Sequence, residues 1–209
     1  MLLLLPPLLA LALAVLCGGS PRALAALPIR GGGLLLAALA VQIALYLPPV
    51  RASALVVHVG GALYVVSLGL ALVGALRNRA LGPAVWVATL GVGLNGVAVV
   101  ANGGYMPVDV AALRATQGEA RVRAVADIRR FNNTRLATAS TRLAPLSDVI
   151  PVRIAGGTGN VYSIGDVLLT AGVAALIYGA TQPRPRARAP RGPQDGQVTT
   201  GRGPGRASR

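Results

Sequence analysis

Apolar residues in this chain come in long unbroken blocks, without the two-residue alternation of a half-buried strand or the 3.6-residue stripe of a surface helix. Five blocks read as membrane-crossing helices: residues 2–16, 32–47, 52–76, 82–101 and 161–180. At a rise of about 1.5 Å per residue, the third and fourth easily cross a hydrocarbon core ~30 Å thick. The first two reach only about 24 Å and call for a thinned bilayer or interfacial help. Pro6-Pro7 is a potential break in the first. No basic residue precedes that first block and no small-x-small cleavage site follows it, so it reads as a retained span and not as a signal peptide. Leu16 directly before Cys17 is also a poor fit to a lipoprotein cleavage box.

Two segments break the apolar pattern. Residues 102–160, between the fourth and fifth blocks, are a long polar stretch, and residues 181–209 are rich in Arg, Pro and Gly. The tail has almost nothing to bury and is expected to be disordered. The pattern predicts an all-α membrane protein: a bundle of about five transmembrane helices over residues 1–180, a long extracytoplasmic loop at 102–160 and a disordered basic tail at 181–209.

Orientation rests on arginine. Arg22 and Arg30 lie between the first two blocks, Arg77 and Arg79 between the third and fourth, and seven more arginines in the tail. The other side has only Arg51 in its short loops. The positive-inside rule then puts the N-terminus outside and the tail in the cytoplasm. The 102–160 stretch is therefore expected on the outer face of a bacterial plasma membrane.

Composition agrees and narrows the chemistry. Apolar residues make up 54% of the chain and charged ones 12%, about half the share usual in soluble domains. The formal charge of +14 suggests nucleic acid, but all twenty basic residues are Arg and the tail has no aromatic to stack on a base. Attraction to an anionic membrane surface is the better reading, and no nucleic-acid partner is expected. One cysteine, Cys17, and one histidine, His58, argue against an internal disulfide, a redox or zinc motif, and a histidine-rich metal site. No cofactor and no metal are expected.

Polar side chains inside the spans are few, and they fall at a common depth. Gln42, His58 and Asn95 each lie roughly 8–10 Å below the outer surface, and Asp166 about one turn in from the same side. An intramembrane ionisable group is a site hypothesis by default. Each has a structural alternative. Ser163-Ile-Gly-Asp166 has the spacing of a capping box, which would hold Asp166 at the helix N-terminus. His58 reads as an interhelical hydrogen-bonding residue, and Asn95, between Gly93 and Gly96, as glue at a close helix crossing.

Within the polar stretch, Asn102-Gly-Gly-Tyr-Met-Pro107 should end the fourth helix. Asp109 is a candidate N-cap for a short helix to Ala115, and residues 119–130 could form a second. Gly156-Gly-Thr-Gly159 resembles a phosphate loop only superficially, because no strand precedes it and no Lys follows.

Three motifs together resemble a bacterial integral-membrane family classed as a domain of unknown function. They are Asn-Gly-Gly-Tyr-Met-Pro at 102–107, Thr-Arg-Leu with Asp-Val-Ile-Pro at 141–151, and Asn-Val-Tyr-Ser-Ile-Gly-Asp at 160–166. The resemblance covers about residues 1–180, while the tail and the Arg-rich piece at 119–130 look peculiar to this chain. It implies location and architecture and supplies no reaction, cofactor or catalytic residue.

The leading expectation is a non-catalytic protein that binds a membrane lipid, a small ligand or a partner protein on its outer face, with a homo-oligomer as one option. Arg142 is the best candidate for anion contacts, with Asn102, Tyr105 and Asn160 as neutral ones. An outer-leaflet enzyme would use Asp166 or Asp148 as general base with His58 in support, although no shared motif fixes any two of them. A transporter or channel lacks an even internal repeat and a charge near the midplane.

Overall fold

The computed structural model describes residues 5–127, 130–153 and 159–182. The expected tail lies, from residue 183 on, outside the described residues, as does most of the glycine-rich 156–159 motif. The chain is mostly helical. Among the described residues, three helices are long and apolar enough to cross a membrane: α5 (Ala54–Arg77), α6 (Pro83–Ala101) and α9 (Ile164–Thr181). Two shorter apolar helices, α1 (Leu5–Leu16) and α3 (Gly32–Tyr46), join them. The single turns α2 (Arg22–Ala25) and α4 (Pro48–Arg51) connect these.

The order of packing follows from where small residues permit close approach. α6 lies against α9, α5 against α6, α3 against α5 and α1 against α9. At the α6–α9 crossing, a Cβ on Gly91 would stand 2.4 Å from the Leu169 backbone nitrogen, and one on Gly172 2.4 Å from that of Ala88. Only glycine permits backbones to meet this closely. The outward faces stay apolar, with Leu55, Leu90, Val97, Val100 and Val167 all exposed. Apolar surface this continuous suits lipid and not water.

Local chemistry sets the helix ends. Ser53 caps α5, its Oγ accepting from the Val56 N–H at 3.3 Å. At the far end of α5, the Asn78 side chain donates to the carbonyls of Gly74 and Arg30 and accepts from the Arg30 N–H. That clasp brings the 30–31 turn, at the start of α3, beside the end of α5. The Ser20 N–H likewise donates to the Thr181 carbonyl at 2.8 Å. The short connections at 17–31 and 78–82 therefore share one end of the bundle with the end of α9. Residues 47–53 and the polar stretch share the other.

The polar stretch is a lid with a core of its own. Asp109 caps α7 (Val110–Gln117), its carboxylate accepting from the Ala112 N–H at 2.7 Å. α8 (Glu119–Ala126) follows and ends short of residue 130. Four short strands add to this. β1 (Met106–Val108) runs parallel to β2 (Thr134–Leu136), and β3 (Ile150–Arg153) antiparallel to β4 (Gly159–Tyr162). Val108, Ala112, Leu113, Val122, Val125 and Val161 close the lid core. Met106 seats it on Ala98 and Val99 of α6, and Phe131 on Leu45 and Val56. Gly104 touches α5 backbone to backbone, since a Cβ there would stand 2.7 Å from the carbonyl carbon of Gly61.

Candidate ligand-binding site

Three polar clusters lie at the lid end of the bundle, and they differ in how completely the protein satisfies them. The first is the α6–α9 seam. The Ser163 hydroxyl accepts from the Asp166 N–H at 2.9 Å, and the Asp166 carboxylate accepts from the Ser163 N–H at 3.3 Å, so the capping box is closed. Across the interface, Asn95 donates to Asp166 Oδ1 at 2.7 Å and accepts from the Ser163 hydroxyl at 2.7 Å. Asp166 is thus tied into the joint between two helices, and both of its oxygens have partners.

The second cluster surrounds Asp148. Its backbone binds the lid to itself: the Asp148 N–H donates to the Pro107 carbonyl and the Asp109 N–H to the Asp148 carbonyl, each at 2.9 Å. Its side chain is less well served. Asp148 Oδ1, Ser147 Oγ and Tyr162 Oη are sealed from solvent and have no hydrogen-bond partner among the described residues. Burial, and then the negative charge of Asp166, push the Asp148 carboxyl up to about 8.

The third is an open cleft of about 410 Å³ between the lid and the first turns of α5. Val57, Val125, Phe131 and Leu136 form its apolar side. Arg130, Arg135, Asn132 and Thr134 form the polar side, with Tyr105 at the junction. The Arg135 guanidinium lies over the Tyr105 ring, 3.4 Å from its centroid. Tyr105 and Phe131 meet at 6.2 Å between ring centroids with planes tilted by 40°. Phe131 covers Gly60, where any Cβ would strike its ring. The backbone anchors the same turn, the Phe131 N–H donating to the Arg51 carbonyl at 2.9 Å.

The candidate residues named from sequence scatter over these surroundings. Tyr105 lies in the cleft. Asn102 is a clip: its amide donates to the Ala98 and Arg142 carbonyls and accepts from the Arg142 N–H. Arg142 is held there by its backbone, with an exposed side chain. Asn160 accepts from the Gln117 amide at 3.0 Å and ties β4 to α7. His58 is exposed, its Nδ1–H donating to the Ala54 carbonyl at 2.7 Å. Gln42 donates to the buried Ser67 hydroxyl at 3.2 Å, in the α3–α5 interface. Equal depth therefore does not bring Gln42, His58 and Asn95 together, because they point along different faces.

Sequence reading passed over Arg130, Asn132, Thr134 and Arg135 as cleft residues. A signal was present: the chain's one Phe sits inside Arg-Phe-Asn-Asn-Thr-Arg at 130–135, a dense donor cluster around an apolar anchor.

Residues 26–178 match a family described as a family of unknown function, DUF5317. The chain belongs to the DUF5317 family. No curated protein and no solved structure matches it. The DUF5317 region begins just after α2 and takes in α3, α5, α6, nearly all of α9 and the whole lid, so the seam, the Asp148 cluster and the cleft all fall inside it.

Proposed function

We propose that this protein is a five-span protein of a bacterial plasma membrane whose lid holds a lipid or small ligand, without catalysis, at the extracytoplasmic face. α1 and α3 serve as the two short spans beside α5, α6 and α9. Support for the orientation comes from Arg22, Arg30, Arg77 and Arg79, which belong to connections at the end of the bundle opposite the lid. The observation that carries the reading is the cleft itself: it is the place where the lid leaves charged and apolar side chains facing open space together.

An enzymatic reading lacks comparable support. Asp166 is occupied as a cap and as the partner of Asn95, and exposed His58 is hydrogen-bonded to its own helix. Asp148 has a raised carboxyl, but among the described residues its buried Oδ1 has no hydrogen-bond partner to exchange a proton with.

The test is purification in mild detergent from native membranes, with mass spectrometry of what remains bound, for wild type and Ala126→Trp. Ala126 lines the cleft and is exposed, so the bulky side chain fills the cleft without entering a core. A bound species lost in the variant supports the reading. Nothing bound to wild type, or equal retention by both, overturns it.

A further inference from the structure

We infer that the lid cleft is an anion site for a phosphate group, held by Arg130 and Arg135. This rests on the cleft being the ligand site and adds the chemistry of what enters it. Arg130 and Arg135 both line the cleft, and no Asp or Glu is among the described residues that line it with them. The ion pair found among the described residues, Arg114 Nε with Glu119 at 2.6 Å, lies at the other end of α8. Two arginines converging on one cleft with no internal counter-charge leave a double positive site. That combination suits a group able to accept from two planar donor forks at once, as phosphate oxygens do.

The arginines also differ from arginines on a solvated face in how they are held. Arg135 is stacked on Tyr105, which occupies one face of the guanidinium and leaves its edge N–H groups free to donate. Arg135 is fixed by the pairing of β2 with β1, and local bonds hold the segment that leads into it. Asn132 donates to the Thr134 carbonyl and the Thr134 hydroxyl to Asn133 Oδ1, each at 3.2 Å. Phe131, buried against Leu45 and Val56, nails this segment to the bundle between the two arginines. A site arranged before its ligand arrives loses less entropy on binding.

The apolar side suggests how the phosphate is carried. Val57 belongs to the first turn of α5, beside exposed Leu55, so one wall of the cleft continues onto the lipid-facing surface of the bundle. A lipid headgroup phosphate at the outer interface could place its glycerol and chain along that wall, whereas a free phosphate would use the arginines alone. The chemistry at the arginines is the same in both cases.

The experiment uses the full chain in a neutral detergent and titrates it separately with dioctanoyl phosphatidylglycerol and with inorganic phosphate, by calorimetry. Wild type should bind at least one of them. Arg130→Ala/Arg135→Ala should weaken that binding by about tenfold or more, the loss of two charge-assisted donor forks. Arg121→Ala/Arg123→Ala removes the same charge from exposed positions on α8 outside the cleft and should change it less than about twofold, as expected for screened surface charge. Binding of the lipid alone assigns the phosphate to a headgroup, and binding of both shows that the phosphate suffices; either supports the inference. Binding of neither ligand, or equal weakening by the two double variants, overturns it. If the species co-purifying from native membranes is lost in Ala126→Trp but kept in Arg130→Ala/Arg135→Ala, the phosphate assignment falls while the cleft remains the ligand site. Retention in both removes the two together.

Discussion

The α6–α9 seam and the lid cleft lie at the same end of the bundle and treat polar groups in opposite ways. In the seam, the side-chain oxygens and the amide of Asn95, Ser163 and Asp166 all engage protein partners across 2.7–3.3 Å, and glycines let the backbones close over them. In the cleft, Arg130 and Arg135 are exposed, and no Asp or Glu is among the described residues lining it. A polar group deep between helices is here a fastener. A polar group left without a partner, on a lid fixed by its own core, is the better mark of a binding site. That distinction moves attention away from Asp166, the most conspicuous intramembrane acid, to Arg130 and Arg135.

Gly91→Leu should break the comparison most severely. Its side chain would have to displace the α9 backbone at Leu169, and overpacking against backbone costs about 3 kcal/mol or more. Little monodisperse protein should survive size exclusion in detergent. Ala126→Trp, on the cleft side, should elute and melt as wild type does. Equal damage from the two would show that the seam is not the tighter region.

Asn95→Leu tests the hydrogen bonds of the seam without forcing the helices apart. It strips a donor from Asp166 and an acceptor from Ser163, leaving buried polar atoms unmatched, at about 1–3 kcal/mol. The melting temperature should fall while ligand affinity at the cleft stays unchanged. An unaltered melt would mean that Asn95 fastens nothing.

Asp148 lies between these extremes, well tied by its backbone and poorly by its carboxyl. With that carboxyl moved from 3.8 to about 8, the folded protein keeps a proton that the unfolded chain has lost. The group's contribution to stability is therefore fully present below pH 4 and is lost as pH rises from about 4 to 8, at up to about 1.4 kcal/mol per unit. Burial is the larger cause of that shift, and the negative charge of Asp166 adds to it. Asp148→Asn, neutral throughout, should flatten the melting profile between pH 5 and 8 and melt higher than wild type at pH 8. A parallel pair of profiles would show that Asp148 titrates normally.

How much of this could be read along the chain depended on how local each interaction is. The capping box needs only Ser163 and Asp166, three residues apart, and the Asp109 cap of α7 is local in the same way. Asn95, the partner that closes the seam, is 71 residues from Asp166, and no spacing rule connects them. The lid strands were illegible for the same reason. Met106-Pro107-Val108 reads as a turn after a helix until it pairs with Thr134–Leu136, beyond two intervening helices. Depth along a helix could be counted from sequence, but the direction of each side chain could not, so Gln42, His58 and Asn95 share a depth while each meets a different partner.

The smallest expected effect is also the most specific to the cleft. If Tyr105 acts by holding the Arg135 guanidinium, the ring matters and the hydroxyl does not. Tyr105→Phe keeps the aromatic face and should bind phosphate ligands as wild type does. Tyr105→Leu keeps apolar contact with Phe131 but removes the π-face, a cation–π interaction worth about 0.5–1 kcal/mol at an exposed site, or about two- to fivefold in affinity. The Leu variant in an Arg135→Ala background isolates the pair from any loosening of the turn, because a ring that acts only through Arg135 has nothing left to hold. Equal losses in both backgrounds would show that Tyr105 shapes the cleft by packing alone, and the arginine would then owe its position to the pairing of β2 with β1.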